Sequence, residues 1–514
     1  MALFFTYGIK LFWYDIGIDA EAFMDNRSGM LLGWISIGRF GLNLLIRLWR
    51  IKEYNPFISF AATFCLIWCF TLSWCYIIAV FSKNIDRNNA LIPFALVFMT
   101  MPVWAEIFYF VFQAAETAFI ITLCPYVIYF LFKGFIESRK AAIFFAFFMM
   151  VFMTSVYQAI VPFFCCGVFL CFILLRHNSD YPARVYTLLC FQLFVTLVAA
   201  LVVYSCIDRL IIPAVFHIRR TDFFDNINKW GKIPVFENIV RIMAVGYVYM
   251  AGYMAEQLPL VQNFVARYAR SGRGAVEFWA GISRVHGNIL FLPLVLFFIV
   301  ELIKTARRKI PAGGRISYAL AGIGVPLSII LLALVGGTFP SIRTQWAMPL
   351  AAAFMIYFLV KTYKKKAAMI VCVLALFTAV RQIEITSQLF YSDHIRYTHD
   401  VRMARDLAER IKTVQNETNS LPVIFIGSHK ADSVFTKNFL QGEVPGHSFF
   451  EWDGGNTQRI LAFMRTLGVD FMSLDTNKNE QISQAARTAE SMPVYPAPGC
   501  VKRLDGIIII KMGI

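Results

Sequence analysis

From residue 56 to residue 386 the chain repeats one pattern, an apolar run followed by a short linker carrying Lys or Arg, and this recurrence constrains the fold most. Such runs occupy 56–81, 91–104, 114–132, 141–156, 158–175, 185–206, 286–303, 316–336, 346–360 and 367–386. A bilayer core about 30 Å thick is crossed by about 20 apolar residues in a helix, so several runs are short. Their number nonetheless excludes a soluble globule. Charged residues are 16% of the 514, against about 25% in an ordinary soluble domain. The expected fold class is an α-helical polytopic membrane protein with about ten to eleven transmembrane helices.

The linkers supply an orientation. Lys83 and Arg87; Lys133, Arg139 and Lys140; Arg176 and Arg184; Lys304, Arg307, Arg308, Lys309 and Arg315; and Lys361, Lys364, Lys365 and Lys366 form five groups. Ten crossings bring all five to one side, which the positive-inside rule makes cytoplasmic. The formal charge of +16 is therefore distributed as membrane linkers, not as a nucleic-acid-binding surface. An acidic loop at 15–30, the segments 104–113, 207–285 and 337–345, and the C-terminal tail are then expected on the opposite side. The apolar run 239–254 is expected as part of interfacial helices, because one more crossing would move the Lys304 group outside. Residues 31–50, with Trp34 and Trp49 and interrupted by Arg39, Arg47 and Arg50, read as an amphipathic interfacial helix. Residues 1–13 read either as the end of a span or as an interfacial anchor, without a cleavable signal. Ten of the eleven cysteines lie in apolar runs, with neither zinc spacing nor a disulfide framework.

After about residue 390 the composition turns to a soluble α/β pattern. Helices are expected at 399–414 and at 456–467, the latter with Asn456 as N-cap, and strands at 421–426, 469–474, 501–504 and 507–511. The expected domains are a transmembrane domain over 1–389 and a small extracytoplasmic α/β domain over 390–514.

The acidic stretch Asp15-Ile16-Gly17-Ile18-Asp19-Ala20-Glu21 places three carboxylates within seven residues. A transferase that uses a lipid-phosphate sugar must deprotonate an acceptor hydroxyl beside the membrane, and a carboxylate there serves as general base. A solvated loop is the plainer reading of the same residues. Asp19 and Glu21 point the same way in an extended loop, and Asp15 and Asp19 share a face in a helical one, so spacing leaves the base open. Arg39, in Ile37-Gly38-Arg39-Phe40-Gly41, and Arg343, in a short turn, suit a phosphate leaving group through bidentate hydrogen bonds. Snorkelling to headgroups is the alternative. Glu106, Gln113, Glu116, Tyr157 and Gln158 are candidate substrate contacts, equally explained as helix-packing polar residues. No phosphate-binding glycine loop, HExxH or GxSxG pattern occurs. A donor is then expected to be lipid-linked. No metal-ligand set is read, and a divalent cation is the one cofactor left open.

Several stretches together resemble the serotype-converting glucosyltransferases that modify bacterial O-antigen. They are residues 15–21, Trp34 to Gly41, Tyr157-Gln158, Pro340 to Arg343, Met492 to Pro496, Gly499 to Lys502 and Asp505 to Lys511, in order over nearly the whole chain. The resemblance implies a GT-C-type membrane enzyme that takes glucose from a polyprenyl-phosphate donor. The acceptor would be a lipid-linked or polymeric glycan on the periplasmic face of the bacterial inner membrane. It also implies a functional link to a sugar-lipid synthase and a flippase, and a catalytic acid in the first extracytoplasmic loop. Shared sidedness and the family pattern favour Asp19 as base and Glu21 as its partner, with Asp15 third. The family's usual first span is shortened here, which leaves the anchoring of the loop open.

Two other classes fit parts of the sequence. A transporter of lipid-linked sugar would show inverted repeats and intramembrane charges, whereas here the charges gather at one surface. An O-antigen polymerase or ligase would use a diphosphate-linked oligosaccharide instead.

Overall fold

The computed structural model describes residues 1–49, 53–83, 89–179, 181–221, 228–239, 242, 291–337, 341–415, 421–429, 444–474 and 479–513. The chain divides into two units, one of residues 1–12 and 31–387, the other of residues 13–30 and 388–514. Residues 13–30, which include the acidic stretch, fall in the second unit.

The first unit is a multi-pass membrane bundle. Among the described residues six helices are long and apolar enough to cross a bilayer, or seven if the bent pair Leu91–Thr100 and Pro102–Tyr109 is one span. The expected ten to eleven is not reached among these residues. The pair bends by 42° where Pro102 follows Met101, since proline disfavours helical geometry in the residue before it. Lys140–Val156 and Ala347–Thr362 reach only 17 and 16 residues. Phe291–Lys309 is long enough, but Glu301, Lys304, Arg307, Arg308 and Lys309 crowd its second half. The runs are helical as expected, and length and charge remove some of them from the list of spans.

Two further differences have local causes. Residues 31–50 form two helices, Arg27–Ser36 and Phe40–Leu48, because Gly38 turns the chain with φ +84°. The run 367–386 and the helix at 399–414 are one helix, Lys365–Val414. Residues 387–398 contain polar side chains but neither Gly nor Pro, so the apolar pattern ends while the helix continues. In 207–285, the helix Ala183–Cys206 runs on through a π turn at Ile207–Ile211 to Ile212–Phe216. The run 239–254, apart from residues 239 and 242, lies outside the described residues.

In the second unit a three-stranded sheet has the order β1 (Val423–Ile426), β3 (Ile507–Lys511), β2 (Val501–Leu504), with β1 parallel and β2 antiparallel to β3. The last two form a hairpin through Asp505 and Gly506, both at positive φ, the geometry such two-residue turns require. The run 469–474 contributes a single bridge at Ser473. A helix not foreseen, Asn479–Glu490, places Ile482, Ala485 and Ala489 against Ile424, Ile507 and Ile509. Its apolar residues recur at helical spacing within an otherwise polar sequence.

Candidate active site

Helix Ala20–Asp25 packs against helix Thr457–Thr466 within the second unit. Asn456 caps the latter, its side chain accepting from the Arg459 backbone N–H at 3.2 Å. That fixes the first turn from which the Arg459 guanidinium reaches the acidic stretch. Both terminal nitrogens lie 3.3 Å from Asp19 Oδ1, one also bonds Glu21 Oε1, and Nε donates to Asp453 Oδ2 at 3.1 Å. Further along, Arg465 grips Asp25 with two bonds of 2.5 and 2.7 Å. Two arginines on one helix thereby hold three of the acids between residues 19 and 25.

The carboxylates of the stretch differ in setting. The Glu21 side chain is fully buried, and among the described residues its Oε2 has no hydrogen-bond partner. Burial pushes its carboxyl up to about 7, Arg459 opposing the rise and Asp19 adding to it. Asp19 keeps 34% of its side chain exposed. Its backbone has φ +75°, a left-handed conformation uncommon outside glycine. Asp15 is turned elsewhere: its Oδ1 meets His394 Nδ1 at 3.0 Å, and Trp13 stacks on that imidazole at 4.0 Å. The structure brings Asp19 and Glu21 together on Arg459 and sets Asp15 on His394. Neither Arg459 nor His394 was singled out by the sequence.

The first unit gathers other candidates at the start of the long helix Val111–Ile136. Arg39 donates to Gln113 Oε1 at 2.9 Å, and its guanidinium carbon lies 4.2 Å from the centre of the Tyr157 ring. Tyr157 packs against Trp346 at 5.0 Å. Arg343, in the turn Ile342–Thr344, stands 4.7 Å from the ring centre of Phe110, the residue just before the helix. Phe110 and Gln113 are three residues apart, so both guanidinium groups attach to the same opening turn. The N–H groups of that turn make a helix start favourable to anions.

Gln158 fixes the segment that carries Arg39. Its amide donates to the Ile37 carbonyl at 3.2 Å and to the Tyr204 hydroxyl at 2.8 Å, which donates in turn to the Gly38 carbonyl at 3.0 Å. Nearby, Asp208 pairs with Arg220. Tyr204, Asp208 and Arg220 were not picked out as site residues, being read only as part of a span and a loop. Glu106 is buried in the segment Pro102–Tyr109, which packs on the Arg343 turn. Glu116 is also buried, and among the described residues neither of its carboxylate oxygens has a hydrogen-bond partner. Arg39, Arg343, Gln113, Tyr157 and Gln158 therefore form a connected group, and Glu116 follows Gln113 by three residues on the same helix. No group of three or more His, Cys, Asp or Glu side chains is gathered for a metal ion among the described residues.

A family model described as glucosyl transferase GtrII matches residues 8–360. That span includes Asp15, Asp19, Glu21, Arg39 and Arg343, and ends before Arg459. Searches of the curated proteins and of the solved structures each gave no match.

Proposed function

The chain belongs to the glucosyl transferase GtrII family, and from that premise we propose which residues carry its chemistry. Membership and the multi-pass bundle make it a membrane glycosyltransferase acting on a lipid-linked sugar donor. In our reading the donor is polyprenyl-phosphate glucose and the acceptor a lipid-linked or polymeric surface glycan. The reaction is placed at the periplasmic face of the bacterial inner membrane, with residues 390–514 on that side. A sugar-lipid synthase would supply the donor and a flippase would deliver it.

Roles follow from each unit's own geometry. Arg39 and Arg343 are assigned to the donor phosphate, and the observation that carries this is their meeting at the first turn of Val111–Ile136. Two guanidinium groups and a helix start oppose the negative charge that grows on phosphate as the bond from sugar C1 to oxygen breaks. Gln113, Tyr157 and Gln158 position Arg39, and Glu116 offers two acceptor oxygens to sugar hydroxyls. Glu106 supports the turn that carries Arg343. Asp19 takes the proton of the acceptor hydroxyl as that oxygen bonds to C1, and the phosphate departs on its lipid. Asp19 has the exposure a base requires, while buried Glu21 completes the grip on Arg459. Asp15 anchors the stretch through His394.

The test is hexose addition by purified full-length protein with polyprenyl-phosphate glucose. Asp19→Asn should insert normally and lose about 10²- to 10⁴-fold in turnover, the usual contribution of a general base. Undiminished turnover in Asp19→Asn, in Glu21→Gln and in the double variant would remove the stretch from catalysis.

A further inference from the structure

The helices Pro56–Phe81, Ile160–Asn178, Phe291–Lys309 and Ala347–Thr362 bring their C-terminal ends around one cavity of about 240 Å³. Its lining includes Lys304, Arg308, Lys309 and Lys361, with His177 and a single carboxylate, Glu301. Glu301 is occupied by Lys304 at 2.6 Å. Lys309 Nζ meets His177 Nε2 at 3.1 Å, a neutral acceptor that leaves the ammonium charge in place. Among the described residues no carboxylate lies within ion-pair distance of Arg308, Lys309 or Lys361.

Two ordinary explanations cover part of this. Cations offset the partial negative charge of helix C-termini, and cytoplasmic linkers are basic in any case. Neither requires cations from two different helices to line one recess in which Glu301 is the single carboxylate. A polyvalent anion placed there offsets the clustered positive charge, gives Arg308 and Lys361 acceptors, and adds charged acceptors to the neutral one that Lys309 has in His177. Basic recesses between membrane helices bind anionic lipid headgroups in this way.

We propose that this cavity binds the phosphate group of an anionic lipid, at the end of the bundle that carries the basic linkers. Arg308, Lys309 and Lys361 are its ligands, and Lys304 is held aside by Glu301. The site is separate from the Arg39 and Arg343 group and stands whether or not the catalytic assignments above do.

The experiment uses the full chain in nanodiscs of phosphatidylcholine with a minor fraction of phosphatidylglycerol, and reads by native mass spectrometry the lipid retained on release. The wild type should keep phosphatidylglycerol in preference to phosphatidylcholine. Arg308→Gln/Lys309→Gln/Lys361→Gln should weaken that retention at least about tenfold. Lys364→Gln/Lys365→Gln/Lys366→Gln, which removes the same charge outside the cavity lining, should leave it unchanged. Arg308→Gln alone gives the same direction should the triple variant fail to fold. Retention that survives millimolar inorganic phosphate identifies a lipid headgroup, and displacement by phosphate identifies the free anion as an equal occupant. Equal loss in both triple variants, or no preference in the wild type, would overturn the site.

Discussion

Glu21 and Glu116 are the same residue at the same complete burial, and they show two ways for a membrane enzyme to keep a carboxyl out of water. Glu21 shares Arg459 with Asp19 and Asp453, so its environment is fixed by the protein itself. Glu116 lies within a helix fit to span the membrane, and among the described residues both its oxygens lack a partner. A buried polar group without a partner is costly and stabilises nothing. The proposed roles follow this contrast, a structural one for Glu21 and a substrate contact for Glu116. This contrast can be broken by experiment.

The largest effect is expected from Arg459→Leu, which leaves Glu21 buried with its cation removed. The penalty should be about 3 kcal/mol, within the range for breaking a buried pair from one side. Hydrogen exchange of the amides of Ala20–Asp25 and Thr457–Thr466 reads it directly, and Glu21→Leu in the same background should recover much of the loss. No change in exchange would show that the clamp is not structural.

Next comes pH. Because the folded-state value of Glu21 is raised from 4.5 to about 7, the unfolded chain releases this proton first as pH rises. The Glu21 contribution is thus favourable below about pH 4.5 and is lost as pH climbs to about 7, by roughly 3 kcal/mol. Exchange protection of the 20–25 amides should fall across that window in the wild type. Glu21→Gln should flatten this dependence, and an unchanged slope in that variant would assign the titration elsewhere.

For Glu116→Gln the stability change should stay within about 1 kcal/mol, since no partner is lost. The KM for the donor should rise about tenfold as an amide replaces the carboxyl that faces the sugar in the proposed role. A destabilised variant with unaltered KM would make Glu116 a packing residue and end the contrast.

Much of this architecture is readable in the chain, and the exceptions have physical causes. The helix beginning after Asn456 was foreseen from its cap, yet its Arg459 reaches Asp19 across 440 residues. A lone sequence carries no signal for such a pairing. Local chemistry likewise marked Arg39, Gln113, Tyr157 and Gln158 one by one, while only folding shows that they touch. The strand expected at 469–474 had the right side chains but made a single bridge. The expected count of spans is not reached among the described residues, where the apolar run at 346–360 forms a helix of 16 residues.

The turn before Arg39 has a consequence for anyone who would redesign this enzyme. A methyl group on Gly38 would sit 2.4 Å from the Tyr204 hydroxyl, and one on Gly41 would sit 2.1 Å from Ser155 Oγ, whereas Gly33 faces open space. Gly38 also needs its positive φ, which any other residue adopts only under strain. Saturation libraries across this stretch should therefore return a sharp edge, with wide acceptance at Gly33 and almost none at Gly38 and Gly41. If Arg39 holds the donor as proposed, diversity meant to retune donor choice belongs on the rings around it, not on the backbone that positions it.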